Sequence, residues 1–241
     1  YKLMKNIIKF ILTIIIISSI NNVYAQRYKK PQNLPRYDFK KLHFGFSLGL
    51  NSLDFNIKKN NNTLYNDTLY VLESQNQYGF NLGIVTNLRL GKYTDLRFIP
   101  ALVFAERHIQ YSFKDMSSNN IFNRIKKIES TLIDFPVYIK YKSERYNNFR
   151  AYVIGGLKYS LDIASQDDID DIENAIIKLK KHDIMGEIGF GMDFYLEYFK
   201  FSPQIKIAHG LINILSKDTT VYTQSIKKLT TNGWVLSFTF E

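Results

Sequence analysis

The chain has 241 residues, a net charge of +10 and no cysteine, which excludes folds held together by disulfides. Its length and its hydrophobic content of 45% suit one domain of ordinary size. After residue 25, no apolar run is long enough to cross a membrane as a helix. The rest of the chain is therefore expected to be either soluble and exported, or membrane-spanning through strands.

Residues 1–25 are predicted to be a cleaved signal peptide. Lys5 and Lys9 give a positive start, residues 10–20 are apolar, and small residues precede the expected cleavage point before Gln26. Cleavage removes three lysines and no acid, which lowers the net charge from +10 to +7. Because an exported protein rarely meets nucleic acid, the basic charge indicates an anionic membrane surface or an acidic partner.

Residues 26–42 are predicted to form a basic periplasmic arm in front of the first strand. Pro31 and Pro35 disfavour a helix and favour an extended segment. The basic side chains are expected either to lie beside anionic lipid headgroups or to dock an acidic periplasmic partner. These side chains are Arg27, Lys29, Lys30, Arg36, Lys40 and Lys41.

The rest of the chain alternates bulky apolar residues with small or polar residues, at the period of two that is typical of strands. Phe44, Phe46 and Leu48, for example, share one face, while Gly45 and Ser47 lie on the other. The pattern predicts eight strands, at residues 43–54, 77–90, 94–113, 129–142, 149–161, 183–197, 199–209 and 232–240.

The predicted connections alternate between short turns and long segments of about 15–22 residues, as in outer-membrane barrels. The last strand is aromatic and ends at Phe238-Thr239-Phe240. We therefore predict that residues 43–241 form an all-β, eight-stranded antiparallel transmembrane β-barrel with short periplasmic turns and long extracellular loops. The alternative is a soluble eight-stranded barrel with an apolar interior, which alternates in the same way.

An eight-stranded barrel is filled by its own side chains, so we expect no solute channel. The inward charges are expected to pair, with Arg89, Arg97, Lys140 and Lys158 opposite Asp134, Glu187 and Asp193. Aromatic side chains near the strand ends are expected to form girdles at the two membrane interfaces. They are Tyr78, Tyr93, Tyr141, Tyr159, Tyr195, Tyr198 and Trp234.

The connection after the fifth predicted strand has acids at its start and lysines at its end, which favours a short helix. Its apolar stripe follows three- and four-residue steps through Ile169, Ile172, Ile176 and Leu179. The stripe is expected to dock a partner or to cap the barrel mouth. A calcium site is a further alternative, although the acids lack the glycine and the spacing of known calcium loops.

The histidines give no sign of catalysis. None of the four has metal-ligand spacing, and no Ser-His-Asp order is readable. An enzyme built at the barrel rim would need His108 and His182 to converge. We therefore expect no enzymatic activity, no cofactor, no metal and no small-molecule substrate.

Three runs of residues resemble the PorT (SprT) family of the Bacteroidetes. The first consists of Asn33-Leu34-Pro35, Tyr37-Asp38 and Lys41 to Asn51, the second is Leu132 to Tyr141, and the third is Tyr152 to Ser160. The resemblance implies an outer-membrane barrel that is required by the type IX secretion system, which exports proteases, adhesins and gliding-motility proteins. It implies no catalytic residues. Outer-membrane lipid and other components of that system are the partners that it implies.

Two functions therefore stay open for the sequence. The first is a non-enzymatic barrel subunit of the type IX secretion system in the cell outer membrane. The second is a small surface barrel with an adhesin or envelope-integrity role, acting through its extracellular loops.

Overall fold

The computed structural model describes residues 31–60, 69–114, 121–164, 179–216, 223 and 225–241. A short 3-10 helix, Tyr37–Phe39, precedes nine antiparallel strands. The strands are β1 Leu42–Lys59, β2 Leu69–Arg89, β3 Thr94–Phe98, β4 Ala101–Lys114, β5 Ile121–Lys142, β6 Phe149–Asp162, β7 His182–Tyr195, β8 Lys200–Gly210 and β9 Ile226–Phe240. Within the described residues, no helix has the length and apolarity that a bilayer span needs.

The strands close into a ring of eight positions. Strands that follow each other in the chain pair with one another, except β3 and β4, and β1 pairs with β9 to close the ring. Strands β3 and β4 occupy one position between β2 and β5, with an unchanged register on both sides of Pro100. Proline lacks the N–H that the ladder needs, which accounts for the break in the third predicted strand. The predicted eight-stranded antiparallel barrel is confirmed.

The outer wall of the barrel is apolar and the inner wall is largely polar. On β1, exposed Phe44, Phe46 and Leu48 alternate with inward His43 and Ser47, and the other strands repeat this arrangement. The exposed apolar tract Leu42–Leu50 has about the 9–11 residues that a tilted strand needs to cross a bilayer. A soluble barrel has the opposite polarity, so the lipocalin-like alternative does not fit this wall.

Six of the seven aromatic side chains of the predicted girdle are at least partly exposed, and Tyr195 is the exception. Tyr78 and Trp234 form an edge-to-face pair level with Ser52 of β1, on the side that leads to the end of the barrel with the longer connections, which we call the loop end. Tyr93 and Tyr141 lie together at the opposite end, which we call the short-turn end. Tyr195 is only 1% exposed and points into the barrel, so its predicted place in the girdle is wrong. The reason is that the odd-numbered residues of β7 point into the barrel.

Four strands extend further at the loop end than the sequence pattern predicted. β1, β2 and β5 replace most of the first two predicted long connections with strand, and β9 takes up part of the last one. The inner faces lose the polar pattern at the loop end. Phe55 of β1 and Leu72 of β2 pack there in one buried apolar cluster with Ile109, Tyr111, Leu179, Ile214, Leu215, Ile226 and Leu229. The alternation that marks a lipid-facing wall ends with the membrane, which is why sequence reasoning stopped these strands early.

Candidate functional site

The barrel interior is filled by a network of buried charges. At its centre, Lys158 Nζ lies 3.1 Å from Asp134 Oδ2 and 2.7 Å from Glu187 Oε1. Lys206 Nζ lies 3.0 Å from Glu187 Oε2 and donates to the Tyr138 hydroxyl at 2.7 Å. Tyr138 in turn donates to Glu187. Glu187 on β7 thus holds two lysines and a tyrosine from three other strands.

A second group of buried charges lies nearer the short-turn end. Lys140 Nζ donates to both oxygens of Asp193, at 2.8 and 2.9 Å. Glu241 accepts from Arg97 and lies 3.0 Å from Lys200 Nζ. All these side chains are almost completely buried, and a buried charge is tolerated only when it is paired.

Tyrosine completes this group by stacking on its cations. The Lys140 ammonium lies 3.6 Å from the ring centroid of Tyr152, which also donates to Gln204 at 3.0 Å. Tyr152 fits because its neighbour on β7 is Gly191, where a Cβ would approach the ring to 2.4 Å.

The predicted pairing of inward charges is confirmed for the two lysines and changes for the two arginines. Arg97 pairs with Glu241, which was not among the predicted acids. Arg89 donates to the carbonyls of Gly91 and Asp38. The alternation in the sequence shows which side chains point into the barrel. Which of them form pairs depends on the stagger between neighbouring strands.

Two cavities inside the described part of the barrel are small. One of about 30 Å³ lies beside Tyr138, Lys158 and Glu187, and another of about 20 Å³ lies beside Arg107 and Asp183. Such volumes hold one or two water molecules, and a folded protein cargo is far larger. The interior as seen here is a packed core.

The candidate functional site is the short-turn end, where part of the predicted arm folds into the barrel mouth. Asp38 is held by Arg150, whose two terminal nitrogens donate to the two carboxylate oxygens at 3.0 and 3.2 Å. Tyr195 donates to the same carboxylate at 3.2 Å, and an Arg145 nitrogen lies 3.6 Å from it. Two parallel hydrogen bonds from one guanidinium are the geometry in which arginine recognises a carboxylate.

Tyr37 enters the mouth beside Asp38. Its ring stacks on His43 with centroids 4.0 Å apart, and the Lys200 ammonium lies 4.7 Å from the ring centroid. Its hydroxyl donates to Glu241 at 3.0 Å. Burial and the nearby Glu241 carboxylate raise the pKa of Tyr37, so that the hydroxyl keeps its proton and remains a donor.

The start of this segment is fixed by amide groups. The Asn33 backbone N–H donates to Asn148 at 2.8 Å, and the Asn33 side chain donates to the Tyr195 carbonyl at 3.0 Å. Arg145 donates back to the Asn33 carbonyl. We call residues 33–39 the docked segment, because side chains of the barrel hold it at both ends.

The predicted basic residues remain outside this mouth. Arg36, Lys40 and Lys41 are exposed, and exposed Phe39 lies between them. Arg27, Lys29 and Lys30 lie outside the described residues. Sequence reasoning missed Tyr37 and Asp38 as docking residues, although Asp38 is the single acid in residues 26–42. A single acidic residue within a basic segment was the sequence signal that could have indicated a docking role for Asp38.

The loop-end stripe is described at one of its four residues. Leu179 is buried in the apolar cluster of the loop end and pairs with Leu215, so it packs within the barrel mouth. Ile169, Ile172 and Ile176 lie outside the described residues, and the predicted docking role of the stripe stays a prediction.

The described residues offer little for catalysis. They contain no group of three or more His, Asp or Glu side chains placed to hold a metal ion. His108 and its contact Glu106 are both on β4. His182 is on β7 and contacts Tyr159 of β6. Strands β5 and β6 lie between β4 and β7 in the ring, so the two histidines stand on separate walls.

The ionisation of Asp38 makes the docking of the segment sensitive to pH. Burial alone raises the pKa of this carboxyl, but Arg150, Arg145 and the Tyr195 hydroxyl outweigh it, and the pKa lies below its ordinary value. Docking is therefore strongest above the pKa of a released aspartate, about 4, and is lost as the pH falls through the lower docked pKa.

We expect Asp38→Asn to release the docked segment at pH 7. Charge-assisted hydrogen bonds contribute about 1.5–3 kcal/mol, so release should rise roughly 10- to 100-fold. A spin label at Arg36→Cys reports it, because the chain contains no other cysteine. The label should become mobile in wild type only below about pH 4, and already at pH 7 in Asp38→Asn. Glu144→Gln, an exposed carboxylate in a turn, is the control. An immobile label in Asp38→Asn would contradict the role of the Asp38 carboxylate in holding the docked segment.

The comparison with protein-family models agrees with this architecture. A family model described as "Outer membrane protein beta-barrel domain" matches residues 24–216. Similar solved structures include the outer membrane protein OprG from Pseudomonas aeruginosa, at 16% identity and a TM-score of 0.45, over 82% of this chain and 93% of that one. Neisserial surface protein A shows 10% identity and a TM-score of 0.41, over 83% and 98%.

The N-terminal β-barrel domain of Pseudomonas aeruginosa OprF shows 13% identity and a TM-score of 0.33, over 80% of this chain and 97% of that one. The comparison with curated proteins finds no match. The family match covers most of the chain and is the finding that carries weight.

Proposed function

The chain belongs to the outer membrane protein β-barrel domain family, and we propose that this outer-membrane barrel is a non-enzymatic subunit of the type IX secretion system. The resemblance of residues 33–51, 132–141 and 152–160 to the PorT family supports this role. The observation that carries the mechanism is the filled interior. A barrel whose centre is occupied by the Glu187 network passes no folded cargo, so it acts in export through its surfaces.

The periplasmic surface is the one best suited to contact other export components. The docked segment places Tyr37 and Asp38 inside the mouth, and this leaves Arg36, Phe39 and Lys40 exposed around it. A fixed basic and aromatic surface supports contact with an acidic periplasmic partner, since opposite charges steer association. In this role the barrel anchors a partner at the outer membrane.

A deletion strain tests the export role. We expect cargo proteins to remain in the periplasm and to disappear from the culture medium, with recovery when a plasmid supplies the gene. The periplasmic and secreted fractions are compared by quantitative proteomics. Normal cargo export in the deletion strain would reject the proposal.

A second candidate is a surface barrel with an adhesin or envelope role. The extensions of β1, β2 and β5 support it, because strands of 18–22 residues exceed the span of a bilayer and project beyond it. Under this function, the deletion strain exports cargo normally and loses adhesion or resistance to detergent.

A further inference from the structure

The docked segment is bound as a ligand is bound, by side chains of the barrel and not by extension of the sheet. Within the segment, the backbone hydrogen bonds of Tyr37 and Phe39 run to Leu34 and Arg36, which are also in the segment. Its contacts with the barrel come mainly from Asn33, Tyr37 and Asp38 side chains, together with the Asn33 and Asp38 carbonyls. The ring strands are complete without it.

The receptor side of these contacts is a built site for a carboxylate. Arg150, Arg145 and Tyr195 converge on Asp38 from β6, from the turn before it and from β7. The Arg145 guanidinium lies 3.6 Å from the Tyr195 ring centroid, which fixes both groups in place. The arginine side chains are less than a tenth exposed, whereas the bound Asp38 side chain is 28% exposed. The receptor is therefore more deeply buried than its ligand.

We propose that the periplasmic mouth is a peptide-binding site for an aromatic residue followed by a carboxylate, and that Tyr37-Asp38 occupies it in cis. The carboxylate takes the place of Asp38 on Arg150, Arg145 and Tyr195. The aromatic ring takes the place of Tyr37 between His43 and Lys200. The natural occupant in trans is a periplasmic segment of a partner protein with this pair of residues. The proposal stands apart from the export role, because it concerns only what the mouth binds.

Two features with opposite effects govern exchange between cis and trans occupants. The docked segment holds Leu34 at a φ of 49°, a left-handed conformation that costs free energy in a residue other than glycine. A trans peptide with a different residue there avoids that cost. In the other direction, the covalent link to β1 gives the cis segment a high effective concentration, which sets the threshold a partner must exceed.

Binding of a labelled peptide to the full chain tests the proposal. The probe is a fluorescein-labelled peptide with the sequence of residues 33–41, and the protein is folded in detergent micelles. We expect Tyr37→Ala/Asp38→Ala, which empties the site, to bind the peptide at least tenfold more tightly than wild type. Adding Arg150→Gln to that variant should abolish binding, whereas adding Arg124→Gln, an exposed arginine on β5, should not change it. Fluorescence anisotropy gives both affinities.

A change in the peptide keeps the test independent of protein folding. A peptide with asparagine at the position of Asp38 should lose at least tenfold in affinity for the emptied variant. Equal affinity of the two peptides, or equal binding by wild type and the emptied variant, would overturn the proposal. So would equal competition by N-acetyl-aspartate amide, which would reduce the mouth to a site for any small carboxylate.

Discussion

Replacing Ile188 with arginine is expected to destabilise the barrel in lipid by about 2–4 kcal/mol. Ile188 lies near the middle of β7 and is 69% exposed on the apolar outer wall. In a bilayer this position faces hydrocarbon, where a guanidinium loses its hydration. The measurement is urea unfolding in phospholipid vesicles, followed by the fluorescence of Trp234, the single tryptophan of the chain.

Ile125→Arg is the matched control for this prediction. Ile125 is 52% exposed and lies on β5, roughly 25 Å along the strand from the lipid-facing Ile133, at about 3.3 Å per residue. There the side chain projects beyond the membrane, and the substitution should change stability by no more than about 0.5 kcal/mol. An equal loss of stability in Ile188→Arg and Ile125→Arg would mean that the outer wall around Ile188 does not face lipid.

The fold was largely predictable because a lipid-facing wall imposes a strict rule on every strand. Each residue of β1 from Leu42 to Leu50 either meets hydrocarbon or packs inside a narrow barrel, so the period of two is unbroken there. The rule fails where the physical constraint ends. At Phe55 and Leu72 the strands have left the membrane, and their apolar side chains turn inward to a local core.

The candidate site was less predictable, because its contacts join residues that are far apart in the chain. Asp38 meets Arg150 across 112 positions, and Tyr37 meets Glu241 across 204. The alternation of apolar and polar residues along β6 predicts only that Arg150 points into the barrel. That its partner comes from the arm depends on the turn at Leu34 and on the short 3-10 helix, neither of which has a strong sequence signal.

The stability of the barrel depends on how the buried charges of its interior are paired. The alternation places Lys158, Glu187 and Lys206 inside the barrel, and the stagger of β6, β7 and β8 then brings both lysine ammonium groups to within 3.0 Å of the Glu187 carboxylate. Removing one partner of a buried pair is costly, because the remaining charge stays buried without compensation. The position with the most partners in such a network has the largest expected effect.

Glu187→Gln is expected to destabilise the barrel by about 3–5 kcal/mol. The substitution keeps the shape of a side chain that is 1% exposed, but it leaves Lys158 and Lys206 facing a neutral amide. Urea unfolding in lipid vesicles measures the loss, and Glu197→Gln, in an exposed turn, is the control for removal of a carboxylate. Lys206→Met added to Glu187→Gln removes the excess charge and should restore most of the stability. A double variant no more stable than Glu187→Gln would show that the cost comes from packing, and that the ion network does not set the stability of the barrel.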